Sequence, residues 1–122
     1  MSAKKQYQEL VNRLVTAYRS EVKVSKMYGM SVMTTRGRAF MGFSHDDLVV
    51  RLDRLAYAKA SSLKGSAAYA MSNGQLLPEW IRVPERHVSH WRGMCEEARV
   101  YANEFQVLAN VPSEDGTGEK AR

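Results

Sequence analysis

The sequence is short of the features that usually announce a chemistry. Its single cysteine, Cys95, has no partner for an internal disulfide, and one thiol makes no metal cage. No apolar run approaches the roughly 18 to 20 residues that span a bilayer. The opening stretch MSAKKQYQEL passes from basic residues into an amphipathic pattern without the apolar segment of a signal peptide. Gly29, Gly37 and Gly42 do not open a helix after a strand, so no phosphate-cradling loop is present. His87 and His90 stand one helical turn apart without a third ligand placed to join them. His45-Asp46-Asp47 has the look of a catalytic dyad, but it falls in a hairpin turn, where Asp is favoured for backbone bonding. No Ser or Cys has an evident base nearby. These absences predict a cytoplasmic, non-enzymatic protein with no catalytic residues, cofactor, metal or small-molecule ligand, and no membrane association.

What is present fits one globular domain. The chain has 122 residues, 44% hydrophobic and 25% charged, enough for a single core. The formal charge of +5 is unevenly spread. Residues 1–64 hold 12 Lys/Arg against 5 Asp/Glu, whereas residues 65–122 hold 6 against 8. No block of consecutive basic residues appears, which favours solvated faces over a nucleic-acid footprint.

Tyr7, Leu10, Val11, Leu14, Val15 and Tyr18 recur at helical spacing and predict an amphipathic first helix. Strands are expected near 23–28, 30–35, 38–43 and 47–52, with turns at Gly29, Arg36-Gly37 and His45-Asp46. Pairing across those turns sets Thr34 opposite Ala39, Val32 opposite Met41, Met30 opposite Phe43, then Phe43 opposite Leu48 and Met41 opposite Val50. One face of the meander is then Met30, Val32, Ala39, Met41, Phe43, Leu48, Val50 and Leu52, a core to be covered by the first helix. The other face carries Ser31, Met33, Thr35, Arg38, Phe40, Gly42, Val49 and Arg51. A solvated face has no need of Met33, Phe40 and Val49, so these residues, rimmed by Arg38 and Arg51, are the candidate partner surface.

Asp53 is placed to cap a short helix near 54–63, and Gly65 to end it. Residues 66–83 predict a second hairpin turning at Asn73-Gly74, with Pro78 calling for an edge or a bulge. Pro84 and Glu85 open a last helix, whose buried stripe is Val88, Trp91, Cys95, Ala98, Ala102, Phe105 and Leu108. The expected fold is α+β, a two-layer α/β sandwich. Its antiparallel sheet of about five strands arises in the order helix, strands, helix, hairpin, helix. The domain spans residues 1–111, and the polar residues 112–122 form a disordered tail.

The stretch RGRAFMGF, residues 36–43, nearly matches the RNA-stacking octapeptide of RNA-recognition motifs. Arg38 stands where an aromatic belongs, and a helix comes first in place of the strand that such domains need, so that reading fails. KMYGM (26–30), GRAFMGFSHDDLVVRL (37–52) and PEWIRVP (78–84) together resemble the TfoX N-terminal-domain family over about residues 5–108. Tyr28 in place of Phe, and Leu77-Pro78 before Glu79, depart from its pattern. The resemblance implies a curved antiparallel sheet backed by helices, with no catalytic residues to transfer. It lacks the C-terminal TfoX domain, so a competence role does not carry over. The expected function is a bacterial regulatory interaction module that meets a protein partner, or a second copy of itself as a homodimer, through the outer sheet face. The alternative is weak nucleic-acid binding through the basic first half, with Lys26 and Arg36 adding anion contacts to Arg38 and Arg51.

Overall fold

In the computed structural model, residues 2–110 are described, with side chains to Glu104. The expected tail 112–122 lies outside those described residues, and the stripe residues Phe105 and Leu108 lie beyond the described side chains. Ser2 caps α1 (Ala3–Ala17) by accepting from the Lys5 amide at 3.1 Å. Four strands follow: β1 (Val22–Met27), β2 (Met30–Thr35), β3 (Arg38–Ser44) and β4 (Asp47–Arg51). Their three connections are two-residue turns in which both residues take positive φ: Tyr28-Gly29 (58° and 78°), Arg36-Gly37 (52° and 86°) and His45-Asp46 (50° and 67°). Such turns match the twist of the strands they join.

Asp53 caps α2 (Arg54–Ser61), accepting from the Ala56 amide at 2.9 Å. β5 (Ala67–Ala70) and β6 (Leu76–Val83) form the second hairpin, and a 3-10 turn over Glu85–His87 leads into α3 (Val88–Asn110). The α+β fold is as expected, with six antiparallel strands among the described residues, in the order β1-β2-β3-β4-β6-β5, instead of about five. Inserting β6 between β4 and β5 makes it an inner strand. Pro78 is accommodated because β6 bows: Ala68 faces Ile81 but Ala70 faces Leu76, and the extra residues lie between.

The β3–β4 register is the expected one, with Phe43 opposite Leu48 and Met41 opposite Val50. The β2–β3 register is not. Thr34 faces Ala39 as expected, but Met33 faces Met41 and Val32 faces Gly42, leaving Phe40 as a bulged extra residue. One inserted residue exchanges the two faces of β2 beyond it. Met33 and Phe40, expected on the outer partner surface, therefore join the main core with Met41, Leu48, Val50, Leu52, Ile81 and Trp91. That core lies chiefly under α3, with α1 packed against α3 and β1. Tyr7 stacks on Phe43 at 5.1 Å between ring centroids, and Phe43 meets Trp91 at 6.5 Å. Thr35, wholly buried, donates to Asn103 of α3 at 3.0 Å, so its burial leaves no orphaned hydroxyl.

The face opposite the helices is not open either. Met30, Val32, Ala39, Val49, Tyr69 and Trp80 form a second buried cluster there. Val49, the third apolar residue of the expected partner surface, is buried in it. In a flat sheet β2 and β5 would stand four strand spacings apart, roughly 19 Å. Yet the Tyr69 hydroxyl of β5 donates to the Tyr28 carbonyl in the β1–β2 turn at 3.1 Å, and Tyr28 meets Trp80 edge-on at 5.6 Å. The sheet curls until its two flanks touch, and its outer face closes on itself. The surface expected at Met33, Phe40 and Val49 is thus interior.

Phe40→Ala discriminates between the two placements. At an exposed position it would change stability by under about 0.5 kcal/mol. With Phe40 fully buried, urea unfolding is expected to lose about 3–5 kcal/mol, a large part of a small domain's total.

Candidate functional site

The curl leaves a cleft on one side of the Tyr28 bridge, at the end of the sheet where β3 begins and β4 stops. Its volume is about 360 Å³, and it is lined from four segments: Met27 and Tyr28, Gly37 to Ala39, Arg51, and Leu77 to Trp80. These are pieces of the three stretches on which the family resemblance rests. They lie far apart along the chain, and the curl is what gathers them.

Arg51 is the best-held charge in the cleft. Its Nε and Nη2 reach the same Glu79 oxygen at 3.0 and 2.8 Å, its side chain is only 14% exposed, and its guanidinium lies 5.1 Å from the Tyr101 ring centre. The Tyr101 hydroxyl donates to the other Glu79 oxygen. Glu79 therefore ties β4 to α3, and its backbone takes φ +74° to do so. Left-handed backbone at a non-glycine residue costs energy, and such strain persists where surrounding contacts over-determine it. The Glu79 carbonyl also receives the Leu52 amide at 3.0 Å. That bond continues the β4–β6 ladder past Arg51 opposite Trp80.

Arg38 stands close enough to Arg51 to feel its charge. It titrates below the ordinary arginine range, first because the cleft desolvates it and second because of Arg51. It remains a cation at neutral pH. Arg38 and Arg51 line one cleft with Tyr28 and Trp80, and a guanidinium there can hold a carboxylate or phosphate by charge-assisted hydrogen bonds.

Arg38 and Arg51, expected near each other on the outer face, are indeed neighbours. The sequence reading missed Tyr28, Glu79 and Trp80 as their companions. The signal available for them was the family-like PEW and KMYGM stretches; Tyr101 and Tyr69 carried none. The expected anion contacts Lys26 and Arg36 stay outside the cleft lining. Lys26 is exposed on β1, and Arg36 sits in its turn with Glu21 at 3.9 Å.

On the other side of the Tyr28 bridge a second cleft contains Ser44, His45, Asp47 and Arg82. His45 Nδ1 contacts the Ser44 hydroxyl at 3.0 Å, but the Asp47 carboxylate is engaged by Arg82 at 3.2 Å, so these residues form no proton relay. His87 donates through Nε2 to the Lys64 carbonyl at 2.8 Å, which pins the 3-10 turn to the end of α2's loop. Among the described residues no three His, Cys, Asp or Glu gather to hold a metal. Cys95 is buried, and burial, then Glu96, pushes its thiol up and away from reactivity. No helix among the described residues is long and apolar enough to cross a membrane.

The Tyr101 hydroxyl is raised above its ordinary value, first by its bond to Glu79 and then by desolvation. The raised folded-state value means that this bond's stabilisation is complete below about pH 10 and lost as pH climbs through the folded pKa. Glu79→Gln is expected to bring one tyrosine's ionisation down toward the ordinary range, read as tyrosinate absorbance in an alkaline titration. An unchanged titration would place the carboxylate elsewhere. No protein-family model, curated protein or solved structure matches the chain.

Proposed function

We propose that the chain is a non-catalytic binding module of the TfoX N-terminal kind, bacterial, cytoplasmic and regulatory, that docks a carboxylate-bearing segment of a partner protein at the Arg38–Arg51 cleft. The observation that carries this reading is a cleft lined by both Arg38 and Arg51 together with Tyr28 and Trp80, beside a strained Glu79 that fixes Arg51. An anion set against Arg38 offsets the repulsion from Arg51 and gains hydrogen bonds worth about 1.5–3 kcal/mol each. Tyr28, 38% exposed, supplies apolar area for the segment that carries the anion. Self-association through Met33, Phe40 and Val49 is no part of this reading, because those side chains are interior.

The test is an NMR titration of the full chain with a short poly-glutamate peptide at low salt. Shifts are expected at Tyr28, Ala39 and the Arg38 side chain, weakening as salt rises. Arg38→Gln is expected to reduce affinity by about tenfold or more, the loss of one charge-assisted hydrogen bond, while Lys26→Gln leaves it nearly unchanged. Equal binding by the Arg38 variant, or shifts confined to other surfaces, would defeat the reading. Binding of a single-stranded oligonucleotide in place of the peptide would transfer the cleft to the nucleic-acid alternative.

A further inference from the structure

α2 packs on β6, and a groove lined from both helices runs between α2 and α3. It has two adjoining sections of about 490 and 630 Å³ that share Ala56, Lys59 and Glu97. Two of its apolar residues are exposed: Leu55 at 79%, the most exposed of the large hydrophobic residues described, and Val100 at 42%. Nothing in the core requires either to be apolar. Burial of such side chains against a partner is the ordinary reason for leaving them at the surface.

Two further properties say what kind of partner fits. First, the rim is acidic: Asp53, Glu97 and Glu104 line the groove against Lys59. The whole chain carries +5, so this is a local reversal of sign. Second, the floor is shallow-walled. Ala60, Ser62, Ser89 and Gly93 line the second section, and a Cβ added at Gly93 would meet no atom within 4 Å. Glycine inside a helix is unfavourable relative to alanine, and here no neighbour in the chain itself demands its smallness. Small residues let a second backbone approach closely, within the 8–10 Å at which helices pack.

We infer that the α2–α3 groove is a docking site for a basic amphipathic helix of a partner protein, laid with its apolar face on Leu55, Val100 and Gly93 and its cations against Glu97 and Glu104. A helix in this gap would complete the helical layer over the sheet. Two occupants from this chain are disfavoured by chemistry. Residues 111–122 offer only Val111, Pro112 and Ala121 as apolar groups and carry Glu114, Asp115 and Glu119 against Lys120 and Arg122. The basic helix α1 buries its apolar side chains Tyr7, Val11 and Leu14 in its own core, so the α1 of a second copy has no such face to lend.

The experiment uses fluorescence polarisation of a labelled Lys/Leu amphipathic peptide of about 15 residues, long enough to hold a helix, against the full chain. A Glu/Leu peptide of the same pattern is the control. The Lys/Leu peptide is expected to bind despite the protein's positive charge, and the Glu/Leu peptide not to bind. Leu55→Gln and Gly93→Gln are each expected to weaken binding by about tenfold or more. Gln is the better helix former, so Gly93→Gln should leave the unfolding temperature unchanged or raised, separating blockage from misfolding. Arg38→Gln should leave this binding intact, which distinguishes its failure from failure at the cleft. Absence of binding, equal affinity for the two peptides, or full affinity in the Leu55 and Gly93 variants would overturn the inference.

Discussion

Phe40 has no partner across the ladder: Met33 faces Met41 and Thr34 faces Ala39, so β3 carries one residue more than β2. That single insertion decides which side of the sheet each β2 residue serves. Phe40 and Met41 both turn toward α3, with Met33 opposite them. Met30 and Val32 pass to the far face. A bulge also adds bend and right-handed twist to the strand that bears it. The rest of the architecture follows from a sheet that is apolar on both sides and has helices on only one.

Such a sheet must find cover for its second face, and it supplies that cover itself. The β1–β2 turn comes over the outer face to meet β5 and β6. The Tyr69 hydroxyl, bonded to the Tyr28 carbonyl, joins flanks that a flat sheet would hold well apart. Gly42 belongs to the same arrangement. A Cβ there would stand 2.7 Å from the Met30 sulfur and 3.1 Å from the Ser31 carbonyl, so glycine permits the close approach. The closure then leaves clefts on either side of the bridge. The one at the β3–β4 end draws Arg38 and Arg51 together with Tyr28 and Trp80. The strained Glu79 holds Arg51 from the side, and Tyr101 holds Glu79 from α3.

Much of this was legible residue by residue. The two-residue turns were readable because Gly29 and Gly37 tolerate positive φ, and His45-Asp46 because Asp favours turns. The β3–β4 register followed from that last turn. The bulge was not readable, because Phe40 and Met41 are both apolar and either could face the core. A slip there reversed the two faces of β2. The second misjudgement was physical. The alternation places Met33, Phe40 and Val49 on an outer face, which open antiparallel sheets usually leave to solvent, while here both faces are interior. Arg38 and Arg51 were placed near each other correctly, but their companions arrive from Tyr28 and Glu79, and only the curl brings them. The α2–α3 groove was not legible: the spacing of Leu55, Ala58 and Leu63 reads as a weak inward stripe of α2, whereas Leu55 is exposed.

The direct measurement is a set of through-space proton contacts in solution, from the Tyr69 ring to Tyr28 and to the Met30 methyl. A sheet curled over a second core gives strong contacts between these residues of its opposite flanks. A sheet with an open outer face, its β2 and β5 strands roughly 19 Å apart, gives none, and that result would contradict both the buried outer face and the cleft it creates.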